Sequence, residues 1–187
     1  MVDSSPTMAD LQARRAEIQK RLASLEEEVV RLRSELNTLG TEQRLPGLYL
    51  TLDVLGTSAL LPTAVVLEVV RLVAFEPLPS AAPHIAGVML YRGTPAVVVD
   101  LARRLGMQRE PELDAHLVVC GGSRTVALLV DRVRDLVEAP LLVDGSVDGG
   151  MPNPWDSSGL MAGLCRTPEG LRPLLRTSAV LSVPEDL

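Results

Sequence analysis

Hydrophobic positions along the chain follow two periods, and the change from one to the other divides it. In residues 6–39 apolar side chains recur every seven positions. Leu11, Ile18, Leu25, Leu32 and Leu39 form one series, and Met8, Arg15, Leu22, Val29 and Leu36 stand three before each. This is the a/d seam of a coiled coil, with the first series at d and the second at a. Ser5 is placed to cap the helix, Pro6 suits its first position and Gly40 its end. The spacing predicts one helix of about 34 residues, roughly 50 Å long. Arg21 at g would face Glu26 at e of a parallel partner, and Glu28 would face Arg33, both attractive pairs. A parallel homodimer through residues 6–39 is therefore expected.

After a short polar linker, Thr41 to Gly47, the period becomes two. Leu48, Leu50, Leu52 and Val54 alternate with Tyr49, Thr51 and Asp53, the pattern of a half-buried strand. Leu55-Gly56-Thr57 turns the chain into a second strand, which Pro62 ends. Val65 to Val73 is dense in valine and reads as a strand with Glu68 in its middle. Apolar runs at 88–91, 96–99, 116–120, 124–131, 133–138, 160–166 and 171–175 read as further strands. Asp100 to Leu105 reads as a short helix capped by Asp100 and stopped by Gly106, and Thr177 to Leu181 as a second. Residues 140–159 are rich in glycine and proline, hold Trp155, and are expected to form a loop. The organisation expected is 1–44, coiled-coil helix and linker, and 45–187, an all-β domain.

Composition narrows the class. Apolar residues make up 47% of the 187, but aromatic ones only 2%, so the core must be aliphatic. A net charge of −6 argues against nucleic acid as a partner, since phosphate binding needs a basic surface. No apolar run approaches the roughly 20 residues that span a bilayer, so no membrane insertion is expected. With no basic start or apolar signal core, the chain reads as cytoplasmic. Cys120 and Cys165 lie among apolar residues and read as buried reduced thiols.

Catalytic chemistry is poorly represented. His84 and His116 have no carboxylate or cysteine at a telling spacing, and the His and Cys residues lack metal-ligand spacing. Gly121-Gly122 lacks the lysine and following helix of a phosphate loop. Asp100 and Asp131, each after a valine-rich strand, could form a carboxylate pair, but capping and turn roles explain them better. Neither an enzyme nor a cofactor is expected.

The stretch Gly87-Val-Met-Leu-Tyr-Arg-Gly-Thr-Pro-Ala-Val-Val-Val-Asp-Leu101 reads as strand, tight turn and strand, with Gly93 supplying positive φ and Arg92 carried at the tip. Pro77-Leu-Pro79 and Ala82-Pro83-His84 lead into it, and Val126-Ala-Leu-Leu-Val130-Asp131-Arg-Val133 follows later. In this order the segments, over roughly residues 47–183, resemble the CheW-like adaptor family of bacterial chemotaxis. Leu90 and Tyr91 stand where that family usually has asparagine and leucine. The resemblance implies two small five-stranded β-barrel subdomains sharing one core. It also implies a non-enzymatic adaptor that couples the cytoplasmic tip of a chemoreceptor to the regulatory domain of a CheA-type histidine kinase. Glu68, Arg92, Gly93, Val66 and Gly87 are the partner-binding residues it points to. The alternative is a coiled-coil scaffold whose CheW-like domain binds a signalling partner outside chemotaxis.

Overall fold

The computed structural model describes residues 43–79, 81–108, 110–143 and 154–184, together with Arg14, Glu17, Ile18, Lys20, Arg21, Leu25 and Glu28. The chain divides into two units, Met1–Thr41 and Glu42–Leu187. In the first, the seven described residues are helical and exposed, Ile18 and Leu25 of the expected seam among them. Leu11, Leu22, Val29, Leu32, Leu36 and Leu39 lie outside the described residues.

The second unit holds β1 (Gln43–Arg44), β2 (Leu48–Val54), β3 (Thr57–Pro62), β4 (Val66–Arg71), β5 (Ile85–Tyr91) and β6 (Thr94–Asp100). Then come β7 (His116–Cys120), β8 (Val126–Val130), β9 (Arg132–Glu138), β10 (Leu141–Val143), β11 (Met161–Thr167) and β12 (Gly170–Leu175). Three one-turn helices, α1 (Leu101–Arg104), α2 (Pro154–Ser157) and α3 (Thr177–Val180), complete it. A seven-stranded sheet runs β1-β10-β11-β12-β3-β2-β9, and a five-stranded sheet runs β4-β7-β8-β6-β5. Most pairs are antiparallel, but β12 with β3 and β6 with β8 run parallel.

These sheets replace the two five-stranded barrels expected from the sequence. Residues 43 and 44, read as linker, form β1 on β10, and β2 follows three residues later on β9. Leu45 N–H donates to Pro140 C=O and Ala139 N–H to Gly47 C=O, both at 2.9 Å, so pairing continues across the gap. Pro46 and Pro140 lack an N–H and break the regular ladder there. The stretch 140–159, read wholly as loop, in fact contributes β10 and α2.

Both sheets carry packed side chains on both faces, although β4 and β9 stay partly exposed. The largest core lies between them and joins Leu50, Leu52, Val54 and Leu61 to Val97, Val99, Val118, Leu128 and Val130. A second core on the far face of the five-stranded sheet holds Met89, Val98, Leu117, Val119 and Leu129. A third, on the far face of the seven-stranded sheet, holds Tyr49, Leu60, Val137 and Cys165. The half-buried reading of β2 is therefore wrong: Tyr49, Thr51 and Asp53 are buried as fully as the leucines between them. Thr51 Oγ1 accepts from Arg172 Nη1 at 2.8 Å, and Asp53 accepts from Ser58 Oγ at 2.6 Å and from Arg134. Partners inside the fold are what let these polar groups occupy a core. Trp155, the only tryptophan, is fully enclosed in the main core, with its indole N–H on Thr57 Oγ1 at 3.1 Å.

The two sheets are tied at α1. Asp100 caps it, accepting from Ala102 N–H at 2.9 Å and Arg103 N–H at 3.3 Å, and Gly106 leaves it at φ 83°. Arg104 donates to Nε2 of His84 and, at 3.1 Å, to the carbonyl of Ala179 in α3. Arginine only donates, so His84 Nε2 is the acceptor and the ring is neutral. Burial first, and the Arg104 charge second, lower the His84 pKa below the usual 6.5. The folded chain thus binds this proton more weakly than the unfolded one, so acid favours unfolding. Stability from this contact is complete above the ordinary imidazole pKa and falls as the pH drops below it. His84→Gln keeps an acceptor without titrating, so its melting temperature should decline less than wild type between pH 7 and 5. Equal declines would remove His84 from the acid response.

Candidate functional site

The edges of the five-stranded sheet are β4 and β5. The chain leaving β4 crosses towards β5, where Glu76 and Val88 exchange two backbone hydrogen bonds of 2.8 and 2.9 Å. Gly87 makes this crossing possible: a Cβ there would lie 2.2 Å from the Glu76 carbonyl oxygen. Gly87 is itself buried, so its place is in the packing under the surface.

Beyond this bridge the two edges meet through side chains. Tyr91 ends β5 and Thr94 opens β6, with Arg92 and Gly93 between them at φ 51° and 82°. Two successive positive φ values mark the type I′ turn, whose twist matches that of the strands. The turn carries Arg92 back over β4. Arg92 Nη2 donates to Glu68 Oε2 at 2.9 Å, and the Tyr91 hydroxyl donates to the same oxygen at 3.0 Å. The Arg92 guanidinium carbon lies 5.2 Å from the Tyr91 ring centroid, within cation–π range. Burial, and then the hydrogen bond to Glu68, raise the Tyr91 pKa, so the phenol stays a donor. The Arg92 side chain is 74% exposed and that of Glu68 39%.

Structure thus joins Glu68 to Arg92 and places Gly93 beside them. Val66 is half-buried at the start of β4, where it packs on the main core and pairs with Cys120. Three features were not apparent from the sequence. Tyr91 is the third member of the cluster. Leu67, Val69 and Leu90 are exposed apolar side chains on the two edge strands, Leu90 as much as 74%. The register shift between Val66 and Glu68 decides which β4 residues face out, and strict alternation does not reveal it. A separate cleft of about 830 Å³ is lined by Val65, Gly121, Ser123, Arg124, Leu181 and Val183.

The candidates for chemistry have structural roles. Burial pushes the Cys120 thiol up to about 12 and the Cys165 thiol to about 11, so neither is a thiolate at neutral pH. Asp131 Oδ2 accepts from Leu55 N–H at 2.7 Å, tying the β2–β3 turn to the crossover between the sheets. Among the described residues no three His, Cys, Asp or Glu side chains are grouped to hold a metal ion. Among the same residues no helix is long and apolar enough to cross a membrane.

The two glycines of this hairpin predict different penalties. At Gly93 a Cβ meets nothing within 4 Å, so Gly93→Ala should cost only the left-handed strain, about 1–2 kcal/mol. Gly87→Ala sets a Cβ against backbone and should cost more, on the order of 3 kcal/mol. Urea unfolding followed by Trp155 fluorescence measures both; equal costs would contradict the close approach at Gly87.

A family model for the CheW-like domain matches residues 48–185. Over 63 residues the chain is 36% identical to a chemotaxis protein CheW of Rhizobium meliloti (strain 1021). That stretch is 33% of this chain and 41% of the relative, so the match spans less than half of the relative's length. Among solved structures, the scaffolding protein TtCheW from Thermoanaerobacter tengcongensis superposes with a TM-score of 0.62 at 18% identity. The superposition covers 74% of this chain and 94% of that one, and shows a shared fold. With the family match running from β2 past α3, the chain belongs to the CheW-like domain family.

Proposed function

We propose that the chain is a non-enzymatic signalling adaptor that couples chemoreceptors to a CheA-type histidine kinase. The observation that carries this reading is the Glu68–Arg92 pair on the sheet edge, with Leu67, Val69 and Leu90 exposed on the same two strands. An exposed charge pair and uncovered aliphatic side chains on the same edge strands are groups that a protein contact can use: apolar area supplies affinity and charges supply orientation. An adaptor needs two such places, and the cleft beside α3 offers a second, bounded by Val65, Leu181 and Val183. The reading has Glu68, Arg92, Gly93 and Val66 at or beside the partner contact, with Gly87 supporting the hairpin from beneath.

Co-purification of the full chain with a receptor cytoplasmic fragment and the kinase regulatory domain tests the reading directly. Arg92→Glu should lower the affinity on the order of 100-fold, because it sets two carboxylates together at the contact. Exposed pairs add little to folding, so the melting temperature should move by no more than about 2–4 °C. Unfolding of the variant would make Arg92 structural. If wild type captures neither protein, a scaffold for a partner outside chemotaxis replaces this reading.

The reading includes pairing of two chains in parallel through residues 6–39. Two linked domains make the second contact intramolecular, which raises avidity by roughly 10² to 10⁴ when both sites can be reached. Cysteine at Leu25, a d position, should crosslink to its copy under oxidation. Leu25→Asp with Leu32→Asp should give a monomer by sedimentation. A wild-type chain already monomeric at tens of micromolar would overturn the pairing.

A further inference from the structure

We propose that Tyr91 is a positioning residue, holding Arg92 as a guanidinium fork for a carboxylate on the protein partner; the carboxylate half rests on the adaptor reading. Tyr91 packs partly against the second core, so its ring is anchored from below. It constrains Arg92 twice. Its hydroxyl and Arg92 Nη2 share Glu68 Oε2, at 3.0 and 2.9 Å, which fixes where the carboxylate sits and therefore where the guanidinium ends. Its ring, 5.2 Å from Arg92 Cζ, supplies a surface for the guanidinium plane. A leucine at this position would provide neither the hydroxyl nor the ring.

What remains unused indicates the ligand. A guanidinium carries five N–H donors, and among the described residues Arg92 gives one hydrogen bond, from Nη2 to Glu68. Its side chain is 74% exposed, so the other donors face outward. The Glu68 oxygen at the pair already takes two donors. The site therefore has donors in surplus, which water takes in the free protein and an acceptor on a partner can take in the complex. A carboxylate matches the planar fork with two parallel bonds, which a carbonyl cannot do. Leu90, two residues before Arg92, and Leu67 and Val69, on either side of Glu68, are exposed apolar surface on these strands that a docked protein can cover.

The test uses the full chain with Tyr91→Phe, Tyr91→Leu and Arg92→Gln, and two readouts. In the free protein, nitrogen relaxation at Arg92 Nε reports side-chain order. With the CheA-type regulatory domain, or failing that the receptor fragment, titration across salt concentrations reports affinity. Order should persist partly in Tyr91→Phe and be lost in Tyr91→Leu, with melting temperatures close to wild type. Affinity should fall about 3–10-fold in Tyr91→Phe and about 10–100-fold in Tyr91→Leu. In the Arg92→Gln background the Tyr91 changes should have no further effect, and affinity should depend less on salt. A merely structural tyrosine would instead lower stability and add its effect to that of Arg92→Gln. Three results overturn the proposal with the adaptor reading intact: an ordered Arg92 in Tyr91→Leu, additive losses, or an unchanged salt dependence in Arg92→Gln. Failure of wild type to bind either protein overturns the adaptor reading and the carboxylate with it.

Discussion

Burial of both faces of the central strands is the constraint on which the rest of the domain depends. A sheet covered on one side can leave polar side chains in water; in β2, β6, β7 and β8 that outlet is nearly closed, and edges become the sensitive places. The structure meets the problem with side chains. At the five-stranded sheet, the Glu68–Tyr91–Arg92 cluster joins β4 to β5, and one backbone bridge ties Glu76, beyond the end of β4, to β5. At the seven-stranded sheet, buried Arg172 of β12 reaches Thr51 of β2, Asp135 of β9 and Glu169 of the turn before it. In both places an arginine spans strands that the ladder does not join. The difference lies in exposure: Arg172 is enclosed and gives its donors to Thr51, Asp135 and Glu169, whereas Arg92 stands in solvent with donors to spare.

An aliphatic core shapes the connections. Three cores are filled almost wholly by Val, Leu and Ala, with Trp155 the one large ring fully enclosed. Small side chains bring backbones close, and Gly87, against the Glu76 carbonyl, is where the approach is tightest among the glycines described. Asp131 shows the same economy at the crossover. It stands alone between β8 and β9, which belong to different sheets, and its carboxylate holds the β2–β3 turn.

Strand positions were legible because valine runs bounded by Gly and Pro have few alternatives: His116–Cys120 is found as read, and β6, β9, β11 and β12 lie within a residue or two. The Arg92-Gly93 turn and the Asp100 cap were legible for the same local reason. What escaped depends on distant residues. The burial of Tyr49, Thr51 and Asp53 needs a third core and the guanidinium of Arg172, 121 positions away from Thr51. Residues 43–44 looked like linker because two residues carry no period, and their pairing with β10 appears only once β9 is in place. Trp155 was assigned to a loop by its glycine- and proline-rich neighbours, while its own size outweighs them in the fold. Glu68 and Arg92 were named through family pattern and the structure pairs them, while the contact of Tyr91 with Glu68 exists only across the β4–β5 gap.

The edge cluster and the cleft are not independent surfaces. Glu68 pairs with Val119 in the β4–β7 ladder, while Val65, three residues earlier, lines the cleft and accepts from Gly121 N–H at 2.9 Å. Three residues of strand are roughly 10 Å, less than the width of one helix with its side chains. A protein seated in the cleft and another on the edge would therefore lie within reach of each other. Both would bear on the same pair of strands, β4 and β7, whose inner faces are fixed by the cores. The register shift between Val66 and Glu68 falls in the middle of this stretch, so it sets how the two surfaces are turned relative to one another. A ladder of this kind has little freedom to relay change by bending. What it offers is a fixed angle between the edge cluster and the cleft.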